Sequence, residues 1–228
     1  MSDQSLWYLE NIDVTNIFCP RKMSKAHDDL RHVTYRKSEY IYLQNDDADT
    51  LFMIVEGKVK IGSYTEDGKE IAKAILTPGE VFGELALMQE GQRRDFAYAM
   101  EPTSVCELSS NEMRQLMREH SGLNLFFLRL LGSRLLEMEN RLQSLVFKDA
   151  RSRIIEFLLE LINKRAERFG REYVIPNAMS HKDIASLTAT SRQTVTSVIS
   201  ELRKLNILAF DRRQLLIRDI DQLTAQLK

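Results

Sequence analysis

The chain has 228 residues, and its 32 lysines and arginines nearly cancel its 33 aspartates and glutamates, leaving a formal net charge of −1. Apolar residues at 43% and charged residues at 29% are ordinary globular values and exclude a disordered, collagenous or disulfide-scaffold chain. The length suits one or two domains, and near-neutrality, taken whole, argues against a nucleic-acid binder.

The N-terminal stretch MSDQSLWYLENIDVTN carries acids where a secretory signal needs a basic start and an apolar run. No apolar run approaches the ~20 residues that span a bilayer, and the richest, Leu123 to Leu131, is interrupted by Asn124 and Arg129. Two cysteines, Cys19 and Cys106, point to a reducing compartment, so the chain reads as cytoplasmic with no membrane partner. Cys106 lies in the strand-like TSVCEL and reads as a small core residue, whereas Cys19, before Pro20, is a candidate redox-responsive thiol.

From about His32 to Leu108 the chain alternates in the manner of strands. LFMIV runs into Glu56-Gly57, VKIGSY into Asp67-Gly68, and IAKAIL into Pro78-Gly79, with the three glycines 11 residues apart. Short strands with turn signals at 8–12-residue spacing predict an antiparallel sandwich, barrel or roll.

Ser109 and Glu112 then fit a capping box that opens a short helix, SSNEMRQLMREH. After Gly122 a long helix is predicted, about 39 Å from Ser121 to Val146 at ~1.5 Å per residue. Leu128, Leu131, Leu135, Met138, Leu142 and Leu145 are spaced 3, 4, 3, 4, 3 along it, which is a coiled-coil seam. Arg134, Glu137, Glu139 and Arg141 flank a stripe too narrow for packing on the helix's own domain, so a parallel homodimer is expected. RSRIIEFLLELINKRAERFG reads as a further helix before Pro176.

SHKDIASLTATSRQTVTSVISELRKL, residues 180–205, reads as two short helices. Ser180 and Asp183 fit the start of the first, Thr188-Ala189-Thr190 forms the break, and Thr190 with Gln193 fits a second capping box. Val195, Val198, Ile199, Leu202 and Leu205 give the second helix a buried face, leaving Arg192, Gln193, Thr196 and Ser197 on the other. That is the helix-turn-helix arrangement. Arginine can bond guanine O6/N7 in bidentate fashion and glutamine can do the same at adenine N6/N7. ILAFDRRQLLIRD follows as a hairpin, or wing, whose tip Arg212-Arg213 suits phosphate contact.

Dividing the chain at Phe147 resolves the charge. Residues 1–147 hold 17 basic and 23 acidic side chains, net −6, and residues 148–228 hold 15 and 10, net +5. The neutrality is a cancellation between an acidic half and a basic, DNA-reading half. Two recognition helices in a dimer would enter successive major grooves about 34–36 Å apart.

PGEVFGELALMQEGQRR at 78–94, the long helix ending in VFKDARSRI, and HKDIASLTATSRQTVTSVISEL together resemble the cyclic-AMP receptor protein / fumarate-nitrate regulator (Crp/Fnr) family of bacterial transcription factors. The resemblance covers most of the chain. It implies an α+β fold: a cyclic-nucleotide-binding-type β-roll over residues 1–120, a long dimerisation helix over 121–147, and a winged helix-turn-helix over 148–228. It also implies double-stranded DNA and RNA polymerase as partners, the latter touching the Thr65–Glu70 hairpin, and Asp149 near the hinge into the DNA-binding domain.

Carried across, Arg192 matches the family's guanine-reading arginine. Gln193 replaces a common glutamate, and Ser197 replaces a common second arginine, so the operator differs from the family's usual one. Lys182, Ser191 and Thr194 match phosphate-contacting positions. In the effector pocket, formed around Gly83, Glu84 and Leu85, Glu84 and Arg94 match the residues that hold the ribose and phosphate of cyclic AMP. Asp95 stands where a serine or threonine is usual and would repel the phosphate or occupy Arg94, and Phe96 stands where a small alanine is usual. Met138 and Glu139 replace the hydroxyls offered to the adenine. Two matches against four departures argue against cyclic AMP. A cyclic-nucleotide-responsive regulator, or a ligand-independent one in which Glu84 and Arg94 brace a vestigial pocket, are the alternatives.

Two cysteines are too few for a family iron–sulfur cluster, which takes four thiolates. His27, His32, His120 and His181 show no ligand spacing for haem or a metal. No Walker loop, GxSxG or HExxH occurs, so no catalytic residue is expected and an enzyme is set aside. A regulatory subunit controlling a kinase or channel is disfavoured by the reading helix and wing.

Overall fold

The computed structural model describes residues 8–9, 12–13, 31–88, 91–176, 179–211 and 214–227, and divides into two compact units, Met1–Leu135 and Leu136–Lys228. In the first unit, β1 (Tyr8–Leu9) pairs with β2 (Ile12–Asp13). The strands β3 (Arg31–Tyr35), β4 (Tyr40–Tyr42), β5 (Thr50–Glu56), β6 (Val59–Tyr64), β7 (Glu70–Leu76), β8 (Val81–Phe82), β9 (Phe96–Ala99) and β10 (Thr103–Ser109) follow. They form two antiparallel four-stranded sheets, ordered β3-β10-β5-β8 and β4-β9-β6-β7. This is the expected roll.

The apolar run LFMIV explains why β5 is central. Phe52 and Ile54 face the second sheet with Tyr42, Val59, Ile61 and Phe82, while Leu51 and Met53 face the helices that cover the other side. A strand buried on both faces has no polar positions to alternate. Cys106 lies in the helix-side cluster and is 1% exposed. The three predicted turns form at Gly57, Gly68 and Gly79, all at positive φ between 75° and 90°.

Helix α1 (Ser110–Glu119) opens with the predicted capping box, in which Glu112 N donates to Ser109 Oγ and Ser109 N donates to Glu112 Oε2. Helix α2 (Ser121–Phe147) buries Leu123, Phe126 and Phe127 in its first turns. Beyond them the predicted seam lies open: Leu128, Leu131, Leu135, Met138, Leu142 and Leu145 are all exposed, from 37% to 68%. A core position of a globular helix would not be left so.

In the second unit α3 (Ala150–Arg165) is capped by Asp149, which accepts from Ser152 N at 2.7 Å. Burial-free and held by that backbone N–H, the Asp149 carboxyl sits below the usual aspartate range. The helix predicted to continue through Gly170 instead stops at Arg165. Glu167–Phe169 forms β11 and pairs with β12 (Glu172–Pro176), with Gly170 at φ 63° in the turn. The hairpin wins because Val174 and Ile175 of β12 pair onward with β14 (Gln214–Ile217), which pairs with β13 (Leu208–Phe210). Helices α4 (His181–Leu187), α5 (Arg192–Lys204) and α6 (Ile220–Ala225) complete the unit. Its core joins Ile154, Ile155 and Leu158 of α3 to Ile184, Val195, Leu202, Leu215 and Ile217. The fold is α+β, with a β-roll, a long helix and a winged helix-turn-helix. Among the described residues no helix is long and apolar enough to cross a membrane.

Candidate nucleic-acid interface and effector site

Ser180 caps α4 as expected, accepting from Asp183 N at 3.2 Å while its Oγ donates to Asp183 Oδ2 at 2.6 Å. The second cap falls one residue later than predicted. Ser191, not Thr190, accepts from Thr194 N at 3.0 Å, while Thr190 N donates to the Ala185 carbonyl at 2.9 Å and so belongs to the turn. The turn between them is tight, with Ala189 at φ 48°. Helix α5 therefore begins at Arg192, and Arg192, Gln193, Thr196 and Ser197 are exposed while Val195, Val198, Ile199 and Leu202 are buried. The exposed stripe is the one read from the spacing, but its buried counterpart stops at Leu202: Leu205, expected to be buried, caps the helix end and is 50% exposed.

Ser191 Oγ and Thr194 Oγ1 lie 2.8 Å apart at the helix start, and Lys182 is exposed on the first turn of α4. The β13–β14 hairpin is the predicted wing, closed by Asp211, whose Oδ1 accepts from Gln214 N at 2.8 Å. Arg212 and Arg213 lie outside the described residues, as do Cys19 and His27.

Two residues that sequence reasoning missed hold this element in place. Arg153 on α3 donates from Nε to the Thr188 carbonyl and from Nη2 to the Ala189 carbonyl, both at 3.0 Å, and from Nη1 to the Lys148 carbonyl at 2.8 Å. Arg151 donates to the Gln226 carbonyl at 2.6 Å and to Glu201 Oε1 on α5 at 3.1 Å. His181 is a third: its Nδ1 lies 2.9 Å from Thr196 Oγ1 on α5, and its ring packs on Phe210 at 5.0 Å between centroids. Burial, then the nearby Arg192 charge, hold the imidazole below the usual histidine range.

The candidate effector residues Gly83, Glu84, Leu85, Arg94 and Asp95 lie in the β-roll unit. Gly83 is at φ 75°, and a Cβ there would meet the Thr50 carbonyl oxygen at 2.9 Å, so the glycine is demanded by the fold. Glu84 is buried and paired with Arg134 of α2, whose Nη2 also donates to the Val81 carbonyl at 2.7 Å. Leu85 is half-buried. The guanidinium beside Gly83 belongs to Arg93, not to Arg94 as the spacing led one to expect. Arg93 is 5% exposed and donates to the Thr50 carbonyl at 2.6 Å and the Gly83 carbonyl at 3.3 Å, stacked 4.3 Å from the Tyr42 ring centre. Arg94 is exposed.

Asp95 likewise departs from expectation. Its carboxylate does not engage Arg94; it accepts from Tyr42 Oη at 3.2 Å and lies 3.6 Å from Lys73 Nζ. Burial raises its proton affinity above the usual aspartate value, Lys73 opposing and Glu84 adding to the rise. Phe96 is 1% exposed and packs on Tyr40 and Tyr64. Met138 is 61% exposed, in the part of α2 that belongs to the second unit. A cyclic phosphate needs an inward guanidinium free of carbonyls and a hydroxyl beside it. Here Glu84 pairs with Arg134 and Asp95 with Lys73 and Tyr42, whereas the buried Nε of Arg93 has no hydrogen-bond partner among the described residues.

Comparison with known proteins agrees with both halves. The family described as "Cyclic nucleotide-binding domain" matches residues 32–120, and "Crp-like helix-turn-helix domain" matches residues 152–226. The chain is 30% identical over 196 residues to the "Global nitrogen regulator" of Synechocystis sp., covering 85% of this chain and 87% of that one. It is 25% identical over 204 residues to the "CRP-like cAMP-activated global transcriptional regulator" of Mycobacterium tuberculosis, covering 90% and 91%. Among solved structures it is similar to FixK2 from Bradyrhizobium japonicum, with a TM-score of 0.74, 25% identity and coverage of 86% and 96%. A CooA mutant from Carboxydothermus hydrogenoformans shares the fold at a TM-score of 0.78 and 24% identity, covering 98% and 99%.

Proposed function

The chain belongs to the Crp/Fnr family of DNA-binding transcription regulators, and from that premise we propose how this member works: as a homodimer on a pseudo-palindromic operator, with α5 of each protomer in one major groove. The observation that carries the reading is the division of α5, with Arg192, Gln193, Thr196 and Ser197 exposed opposite the buried Val195, Val198, Ile199 and Leu202. Arg192, Gln193 and Ser197 read base edges; Lys182, Ser191, Thr194, Arg212 and Arg213 take phosphates. The exposed α2 seam supports the dimer. Residues 1–120 form the sensing part, 121–147 the dimerising helix and 148–228 the reading part.

The role is regulatory, not catalytic, in the cytoplasm, with RNA polymerase as protein partner at the Thr65–Glu70 hairpin. The M. tuberculosis relative is named for cyclic AMP, but cyclic AMP is not the effector proposed here. What supports this is the pairing of Glu84 with Arg134 and of Asp95 with Lys73 and Tyr42, which places a carboxylate where a phosphate would have to sit. A small-molecule effector of other chemistry, or none, is left to direct this member.

Mobility shift on genomic fragments across a salt series tests the reading. The expected result is selective retardation that weakens steeply as salt rises. No shift at low salt would overturn it.

A further inference from the structure

We propose that His181 is a proton-coupled DNA contact, taking a duplex phosphate through Nε2 when charged and letting it go when neutral. The proposal rests on the DNA-reading function above and adds a residue and a chemical condition to it.

Thr196 has a single hydroxyl hydrogen, and its Oγ1 donates that hydrogen to the Arg192 carbonyl at 2.9 Å, the back-bond open to threonine in a helix. The bond between Thr196 Oγ1 and His181 Nδ1, 2.9 Å long, must then take its hydrogen from the ring. So Nδ1 carries the N–H in the neutral imidazole, and Nε2 is a bare acceptor. Among the described residues Nε2 has no partner. The ring is held on a second side by Phe210 of the wing, at 5.0 Å and 54° between planes. The imidazole thus bridges the first helix of the motif, the reading helix and the wing, while still partly exposed.

A bare Nε2 and a phosphate oxygen are both acceptors and repel each other. Once charged, the ring donates at Nε2 and keeps its bond to Thr196, so a phosphate is gained with no rearrangement. Among the described residues, the charged groups beside the ring or on the elements packed against it include Arg192 on α5, Lys182 and Asp183 on its own helix, and Asp211 beyond Phe210 at the end of β13. Arg192 disfavours the charged ring in the free protein, as does burial. Asp183 is buried and takes a hydrogen bond from Ser180, and Asp211 takes one from Gln214 N, so neither carboxylate is given over to His181 alone. A phosphate brought up by the duplex opposes both disfavouring effects.

The sign follows. The ring's proton affinity is low in the free protein and higher in the complex, so binding takes up a proton between those two values. Affinity is flat and high below both, falls as pH rises between them, and is flat and low above both.

The test measures affinity for a duplex selected by this protein from a randomised pool, from about pH 5.5 to about pH 8, the span in which a histidine titrates. The wild type should lose up to about tenfold in affinity per pH unit for each half-site inside the interval. Its salt dependence should be steeper at the acid end by ~0.9 in log–log slope per His181, for one added phosphate contact. His181→Gln should bind weakly and His181→Arg tightly, both with the pH dependence and the change of slope removed. Unchanged circular-dichroism melts would show that the variants fold, and the arginine variant keeps the test open should the glutamine one fail to do so. A pH dependence that persists in either folded variant overturns the proposal. Failure of any selected duplex to bind at any pH would overturn the DNA-reading function and this proposal with it.

Discussion

Arg153 Nη2 donates to the Ala189 carbonyl at 3.0 Å, tying α3 to the turn that separates the two helices of the DNA-reading motif. With Nε on the Thr188 carbonyl and Nη1 on the Lys148 carbonyl, one guanidinium serves the end of α4, the turn and the approach to α3. Ala189, at φ 48°, occupies a conformation that a non-glycine residue adopts at a cost, so the turn needs such support.

Arg153→Ala leaves those carbonyls short of a donor and should cost about 1–3 kcal/mol. The melting temperature should fall and DNA affinity with it, while the preferred sequence stays the same, because Arg153 sets geometry and reads no base. Arg153→Lys should recover only part of the loss, since one ammonium cannot reproduce a planar fork. Thermal melts and binding isotherms on one selected duplex check both.

Leu135→Asp with Leu142→Asp should give a monomer in sedimentation experiments. The wild-type side chains are 59% and 57% exposed, so the protomer should melt almost unchanged while operator affinity drops by orders of magnitude as two half-sites cease to bind together. An unaltered dimer would remove α2 as the association surface.

Much of this was legible in the sequence, for identifiable reasons. Strand turns announced themselves because glycine reaches positive φ freely, as Gly57, Gly68 and Gly79 do. The seam and the two faces of α5 were legible because side-chain period in a helix is fixed by geometry. Arg93 was not: residues 91–95 belong to no strand except in approaching β9 (Phe96–Ala99), so no period says which of two adjacent arginines turns inward. Arg153 and Arg151 reach across 35 or more positions, to carbonyls that no pattern of residue types reveals. Strand β11 reads as a continuation of the helix because nothing in Glu167–Phe169 marks a strand: it is exposed throughout, and it is fixed by β12, which pairs onward with β14.

Asp95→Asn should stabilise the β-roll at neutral pH. Burial raises the folded-state proton affinity of Asp95 above its unfolded value, so the wild type is helped in acid, below the usual aspartate range, and loses that help as pH rises through the folded value. The amide keeps a hydrogen-bonding group near Tyr42 without a charge to desolvate. The gain in melting temperature should be present at pH 7 and vanish toward pH 4; a gain that is equal at both, or a loss at pH 7 through the broken Lys73 pair, would contradict the sign.

Selection of bound duplexes from a randomised pool, with the wild type and with Arg192→Ala, tests the central claim most directly. The wild type should enrich an inverted repeat whose half-sites are centred about 10–10.5 base pairs apart or a multiple of that. Arg192→Ala should lose preference at one base pair in each half, at a cost of about 1–3 kcal/mol, with the rest of the repeat intact. No enriched repeat in the wild type, or the same repeat at the same strength in the variant, would contradict the assignment of α5 as the reading helix.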